Sequence, residues 1–278
     1  MSRSVGVLAK SGSKEILETA RTICAIIQKH GLDLIPDTSL ASFHGLSGGR
    51  PLGKLRADLL VTVGGDGTVL KAVREMPNPQ TPILSVNMGR RGYLTEVEPS
   101  HFEEALTHWV NGKFQVEKLW KLSVMFRHSV VGEGLNEGLL TPSIPAKMLS
   151  LDISLGRISF SARADGLIVA TPTGSTAHAF SAGGPILDSS LDSFSLVLLA
   201  PLHTVRALVV PARQALRVRI GDRGPDANLS VDGLLIRKVR AGDSVSFKKL
   251  SRTTSFIRFG DSFLQRSLRR LSLERETL

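Results

Sequence analysis

Over the first hundred residues the apolar positions fall into two alternating rhythms. Short, largely apolar runs at 5–8, 32–35, 58–63 and 82–86 predict strands. Between the first two, Ile16, Leu17, Ala20, Ile23, Cys24 and Ile27 recur at helical spacing, and Gly31 suits the C′ position beyond the helix they predict. A second helix is predicted from Ser100, where Glu103 completes a capping box; Phe102, Leu106, Trp109 and Val110 form its apolar stripe and Gly112 its stop. Strands alternating with helices predict a parallel sheet covered by helices. The tract 39–53, rich in Ser, Gly and Pro, reads as a loop.

After residue 118 the rhythm shortens. Strand patterns at 148–155, 157–161, 196–200, 216–220, 228–231, 235–239 and 244–247 follow one another with turn signals between them, which predicts a mostly β half. A Gly/Ser/Thr-rich segment at 173–182 interrupts it and is expected to open a short helix. At 261–271, Phe263, Leu264, Leu268 and Leu271 among arginines predict a last helix able to dock on the first domain. The expected division is an α/β domain at 1–117, a β-rich domain at 118–258, and a C-terminal helix and tail at 259–278. No internal repeat is visible.

Composition narrows the classes. With 278 residues and 42% hydrophobic content, each half can bury a core of its own. One cysteine, Cys24, makes neither an internal disulfide nor a CxxC metal site, which fits a reducing, cytoplasmic setting. The N-terminal apolar stretch is too short for a signal peptide, and nowhere do about 18 uncharged apolar residues run together, so no membrane association is expected. The net charge of +10 favours anionic ligands, but the basic residues are dispersed and lack interleaved stacking aromatics. A nucleic-acid partner is not expected. The seven histidines show no metal-ligand spacing.

The strongest chemical signal is the apolar run 59–63 entering Gly64-Gly65-Asp66-Gly67-Thr68, from which a helix pattern leaves. Glycines there let backbone N–H groups approach a phosphate, and the helix N-terminus adds partial positive charge. A carboxylate beside phosphates would be repelled unless it meets their Mg²⁺ or takes a proton from an attacking hydroxyl; either role implies phosphoryl transfer. A plain tight turn capped by Asp66 is the alternative. A second signal begins at Asp165-Gly166 and runs through Thr171-Pro172-Thr173-Gly174-Ser175-Thr176-Ala177 to Ser181, with small hydroxyl residues and glycines suited to backbone contact with a ligand and alanines that argue against a flexible linker. Strand alternation puts Arg163 and Asp165 on one face, as a ligand pair or as an ordinary ion pair. Gly134-Leu135-Asn136-Glu137-Gly138 is a third, weaker signal that a turn would also use. Gly45-Leu46-Ser47-Gly48-Gly49 matches a nucleophile elbow without its strand and helix, and the near Walker A stretch 48–55 has Leu55 in place of the hydroxyl residue.

In this order the blocks resemble the NAD kinase family: GGDGT, then an Asn-Glu pair, then the long block from Asp165. Residues 87–95 are similar to the family's NxGxxGFLT stretch, Pro201-Leu202-His203 to its Pro/His segment, and Val231-Asp232-Gly233 to its DGQ block. GGDGT is shared with diacylglycerol and sphingosine kinases, so the third block carries the discrimination. The resemblance implies a Rossmann-like N-terminal α/β domain, a sandwich-like C-terminal domain, and a dinucleotide in the cleft between them and across a subunit contact. It implies Asp66 as proton acceptor for the 2′-hydroxyl of NAD, with Gly65 and Gly67 beside it. Asn136 and Glu137 would hold the adenosine; Asp165, Thr176, Ala177, His178 and Ser181 would line the nicotinamide and adenine surroundings. Lys71, Lys147 and Arg163 would supply basic or polar contacts and Ala200 a pocket wall. The implied donor is ATP, another nucleoside triphosphate or polyphosphate, with Mg²⁺ held mainly by its phosphates, and the implied assembly is a homodimer or homotetramer. His178 stands where the family has Tyr and Leu234 where the DGQ block has Gln. The rival readings are a lipid kinase, which would want a membrane-binding element, and a non-catalytic NAD(P) sensor.

Overall fold

The computed structural model describes residues 3–89, 92–202 and 205–273, without the side chains of 270–273. Arg90, Arg91, His203 and the Leu271 side chain, all parts of patterns named above, lie outside the described residues. The chain forms two compact units, Met1–Leu119 with Thr253–Leu278, and Trp120–Arg252.

In the first unit β1 (Ser4–Ala9), α1 (Lys14–Lys29), β2 (Asp33–Pro36), α2 (Thr38–His44), β3 (Leu59–Gly64), α3 (Asp66–Glu75), β4 (Ile83–Asn87) and α4 (Phe102–Val110) follow in order. The strands pair in parallel in the order β2-β1-β3-β4. Every residue of β3 is buried, the uninterrupted apolar run expected of a parallel strand covered on both faces. The six-residue stripe of α1 is its buried face, packed with Val5, Val61, Leu84 and Phe102. Ser13 caps the helix by accepting from Ile16 N–H, and Gly31 follows it at φ +69°. Burial, and after it the Asp37 charge, push the Cys24 thiol up to about 12, so it serves as a small core residue.

Two expectations are corrected here. The capping box at Ser100 does not form: Pro99 starts a 3₁₀ turn, Pro99–His101, ahead of α4, which leaves Ser100 inside that turn with its Oγ 3.3 Å from His101 Nδ1. The tract 39–53 is not all loop. It holds most of α2, capped by Asp37 on Ser39 N–H and ended by Gly45 at φ +63°, and a 3₁₀ turn at Leu52–Lys54. Only Leu40 and Ala41 of α2 are buried, too few to produce a periodicity.

The chain enters the second unit within β5 (Gln115–Phe126). There follow β6 (Ser129–Gly134), β7 (Glu137–Pro142), β8 (Leu149–Leu155), β9 (Ile158–Ala164), β10 (Gly166–Ala170), the single turn α5 (His178–Ser181), β11 (Ser193–Leu199), β12 (Ala207–Pro211), β13 (Leu216–Ile220), β14 (Ala227–Val231) and β15 (Leu234–Val239). The chain returns to the first unit within β16 (Ser244–Arg258), whose Phe256 pairs with Ile83, and ends in α6 (Phe263–Leu273). One antiparallel sheet has the order β12-β11-β10-β7-β14-β15. A second antiparallel ladder runs β16-β13-β8-β9, and β5 pairs with β6. Alternate residues of both sheets, among them Trp120, Leu151, Val169, Phe194, Val218 and Phe247, make one shared core. β10 is buried on both faces, with Ile168 and Ala170 under Ala179 of α5.

The α/β unit and the mostly β unit match the expected fold class, and α6 belongs to the first unit with Phe263 and Ser267 buried. β16 is far longer than the predicted run 244–247, because Lys248, Lys249, Ser251 and Arg252 break its apolar alternation midway. No helix among the described residues is long and apolar enough to cross a membrane. The Phe247 ring fills the space beside Gly138, where an added Cβ would lie 2.5 Å from Cε1. Phe247→Ala is expected to destabilise the protein by about 3–5 kcal/mol, read as a lowered urea midpoint.

Candidate active site

The strand order reverses between β1 and β3, and a cavity of about 330 Å³ opens at their carboxyl ends, lined by Ala9, Lys10, Ser11, Gly65, Gly67, Thr68 and Lys71. Ligands of open α/β sheets bind at such a switch point. Two lysines, two hydroxyls and the start of α3, where the N–H groups of Asp66 and Gly67 have no intrahelical partner by position, give it the chemistry to take an anion. A Cβ on Gly65 or Gly67 would meet nothing within 4 Å, so no neighbouring protein atom demands glycine there; what their bareness preserves is room in the cavity. Gly64 is different, since a Cβ there would lie 2.3 Å from Thr68 Oγ1. Lys10 and Ser11 escaped the sequence reading; their signal was position, immediately after the first strand.

Asp66 opens α3 but does not line that cavity. Its carboxylate is turned onto the 92–94 backbone, where Tyr93 N–H donates to Oδ2 at 2.9 Å and Leu94 N–H to Oδ1 at 3.0 Å. Gly92 permits the approach: a Cβ there would sit 3.2 Å from Asp66 Oδ1 and 2.3 Å from Thr95 Oγ1. The turn and α3 thus bring Thr68 and Lys71 to the cavity and direct the carboxylate elsewhere. Each carboxylate oxygen accepts one of these N–H bonds and has lone-pair capacity for a further donor.

In the second unit Asn136 and Glu137 are both buried, and the backbone around them is clamped from two sides. The Asp232 carboxylate accepts from the N–H groups of Leu135 at 2.8 Å, Asn136 at 2.9 Å and Glu137 at 3.1 Å, while Asp232 N–H donates to the Glu137 carbonyl. Asp232 and Gly233 form the two-residue turn between β14 and β15, with φ of +46° and +78°. Leu234 begins the strand after this turn and is exposed. From the other side Thr171 Oγ1 donates to the Leu135 carbonyl at 2.6 Å, Thr171 N–H donates to the Asn136 carbonyl, and Gly174 lies so close that a Cβ would be 2.1 Å from that carbonyl oxygen. Asp232 is the positioning residue that sequence reading missed, although its Asp-Gly pair at a hairpin was visible.

The third block splits in two. Thr171, Ser175 and Thr176 are buried and donate their hydroxyls to backbone carbonyls, Thr176 to that of Thr173. Ala177 is half-buried, and His178 and Ser181, at the two ends of α5, are exposed. Asp165 and Arg163 are exposed on one face, as alternation predicts; Asp165 N–H donates to Leu199, and Arg163 accepts at its carbonyl from Leu202 N–H. Ala200, just beyond β11, is exposed at φ +41°. Asp165 and Ala200 therefore gather at one end of β10. Glu137 pairs with Ala170 at the other, roughly 15 Å away at a strand's rise per residue. Lys147 is exposed on the loop between β7 and β8.

Burial, and secondarily the Asp232 charge, push the Glu137 carboxyl from its ordinary 4.5 up to about 7. Its Oε2 has no hydrogen-bond partner among the described residues. As pH rises from about 4.5 to about 7 the unfolded chain has already released the proton that the folded chain retains, so this group takes stability away across that window. Relative to Glu137→Gln, the wild type should lose up to about 3 kcal/mol between about pH 4.5 and pH 8, measured by urea unfolding. A pH-independent difference between the two proteins would refute the assignment.

A family model described as the ATP-NAD kinase N-terminal domain matches residues 5–114, and one described as the ATP-NAD kinase C-terminal domain matches residues 135–259. The NAD kinase of Methanothermobacter thermautotrophicus is 34% identical over 266 residues, 94% of this chain and 94% of that protein. An NAD kinase from Archaeoglobus fulgidus, solved in complex with ATP, matches with a TM-score of 0.78 at 26% identity over 96% of this chain and 99% of that one. Yeast NADH kinase, solved with NADH, shares the fold with a TM-score of 0.86 at 22% identity, over 97% of this chain and 87% of that one. With both domain models matched in order and this identity sustained along the chain, the protein belongs to the NAD kinase family of phosphotransferases.

Proposed function

We infer that the chain transfers the terminal phosphoryl group of ATP, another nucleoside triphosphate or polyphosphate to the 2′-hydroxyl of the adenosine ribose of NAD, with Asp66 as the general base. The observation that carries this is the two-sided turn: an anion cavity with Lys10 and Lys71 toward one side, and a carboxylate held by the N–H groups of Tyr93 and Leu94 on another. Donor phosphates seated by the lysines, hydroxyls and α3 N–H groups leave the carboxylate free to meet the acceptor hydroxyl. The ribose oxygen attacks phosphorus in line, the bond to the donor's bridging oxygen breaks, and the hydroxyl proton passes to Asp66. Catalysis then rests on positioning and charge neutralisation.

Among the described residues no three His, Cys, Asp or Glu side chains converge, and no carboxylate lines the cavity. That lining fits Mg²⁺ arriving on the donor's phosphates, and the Ser11 and Thr68 hydroxyls are the side-chain oxygens that would be available to it. When bound, the ion would supply neutralisation of phosphate charge.

For the acceptor, Glu137, protonated or ionised near neutral pH, can donate to or accept from a ribose hydroxyl or adenine edge, and Asn136 adds an amide beside it. Thr176, Ala177, His178, Ser181, Asp165, Arg163, Lys147 and Ala200 complete the proposed dinucleotide contacts, supported by family membership. The same support extends to a cytoplasmic homodimer or homotetramer.

Asp66→Asn should fold, keep most substrate binding and lower kcat by about 10²–10⁴-fold; near-normal turnover would refute the base assignment. Lys10→Met should raise KM for the phosphoryl donor by at least about tenfold while leaving KM for NAD within a factor of about two, since one charge-assisted hydrogen bond contributes roughly 1.5–3 kcal/mol. Steady-state kinetics with each substrate varied in turn reads both.

A further inference from the structure

The 92–96 segment that orients Asp66 is itself gripped by a buried ionic cluster in the first unit. Arg258, at the end of β16, is 3% exposed and points its guanidinium at three oxygens: Nη1 donates to the Leu94 carbonyl at 3.2 Å and to Glu96 Oε2 at 2.9 Å, and Nε donates to Glu117 Oε2 at 2.7 Å. Glu96 Oε1 in turn accepts from Phe259 N–H at 2.9 Å. Glu117 Oε2 is shared with Arg266 Nη2 of α6, also at 2.7 Å, and Arg266 Nη1 donates to the Asp261 carbonyl. In these contacts two arginines face two glutamates, and opposite charges in contact are what lets the arginines tolerate burial. The cost is visible in what the cluster leaves unmatched: Arg258 Nη2 and Arg266 Nε are buried without partners among the described residues. A purely packing role for these positions would be served as well by apolar side chains.

We propose that Arg258 is a positioning residue for phosphoryl transfer: by holding Leu94 at its carbonyl and Glu96 at its carboxylate, it fixes the backbone whose N–H groups aim the Asp66 carboxylate, and Arg266 and Glu117 tie that grip to α6. The proposal rests on Asp66 being the base. The connection is short. Leu94 N–H bonds Asp66, the carbonyl of the same residue bonds Arg258, and Leu94 itself is 2% exposed. The other end of the segment is fastened independently, with Glu96 and Val97 N–H groups on the Ser85 carbonyl and Asn87 N–H on Val97. Removing the arginine therefore frees the middle of the segment, where Asp66 is held, without unpairing its end. An error of about an ångström in a reacting group costs on the order of 10²-fold in rate, so a loosened carboxylate should show in the chemical step and leave substrate binding nearly intact.

The test compares Arg258→Lys, Glu96→Gln and Arg266→Gln with wild type in the full-length protein. Folded fraction comes from circular dichroism, and kcat, both KM values and the single-turnover transfer rate come from steady-state and rapid-quench assays. Arg258→Lys keeps a charge but not the forked geometry, and is expected to lower kcat and the single-turnover rate by about 10–100-fold with both KM values within about threefold. Glu96→Gln, which keeps an acceptor for Phe259 N–H, should lower them by at least about fivefold, and Arg266→Gln by less than Arg258→Lys. If Arg258→Lys does not fold, Glu96→Gln decides. Folded variants with wild-type kcat, or a loss confined to KM or to thermal stability, overturn the positioning role. If Asp66→Asn is inactive in the same assays, that outcome leaves the base assignment standing; if Asp66→Asn turns over normally, both fall.

Discussion

A carboxylate placed next to a phosphate-binding turn has to be stabilised by something other than the phosphates. In this chain the stabilising groups are the backbone N–H groups of Tyr93 and Leu94, each on one oxygen of Asp66. Much of the first unit's local architecture follows from supplying those two donors. Gly92 is bare so that the segment can come close, the segment is fastened at its far end to β4, and Arg258 holds it in the middle. The turn can then keep its cavity open while the carboxylate is held away from it on the 93–94 backbone.

The second unit solves a comparable problem with the same physics. Asp232 sits at a hairpin turn whose backbone requires positive φ, and its carboxylate gathers three consecutive N–H groups that the strand start at Glu137 would otherwise leave unpaired. The hydroxyl-rich block from Thr171 approaches from the opposite side and satisfies the carbonyls. Asn136 and Glu137 are thereby presented by a rigid backbone, and the price is a Glu137 carboxyl that burial and Asp232 hold near neutrality. A group balanced between its two protonation states can serve as donor or acceptor to a sugar or base edge.

Both units show polar groups whose value lies in geometry. The hydroxyls of Thr171, Ser175 and Thr176 go to neighbouring carbonyls and shape the loop that carries the third block. Arg258 and Arg266 are buried charges that, with Glu96, hold backbone in place. Rigid support of this kind suits a reaction whose catalysis depends on holding an attacking hydroxyl and a phosphate in line.

Local periodicity was enough to determine much of the fold. The stripe from Ile16 to Ile27, the buried run of β3 and the alternation from Leu216 to Ile220 are each set by which residues must leave water, and each is the element expected. The GGDGT turn and the long third block were legible too, because glycine and small hydroxyl residues in such density have few other uses. What only the tertiary structure decided were the partners. Nothing near Asp66 in sequence says that its carboxylate meets residues 93 and 94, nothing near Asn136 points to Asp232, and nothing near Leu94 points to Arg258. These are pairings across 27, 96 and 164 residues, and they exist because the sheets bring distant backbone together where its hydrogen bonds must be satisfied. Helix starts without a side-chain cap, such as α4, and strands interrupted by charge, such as β16, were settled the same way, by neighbours that local pattern does not contain.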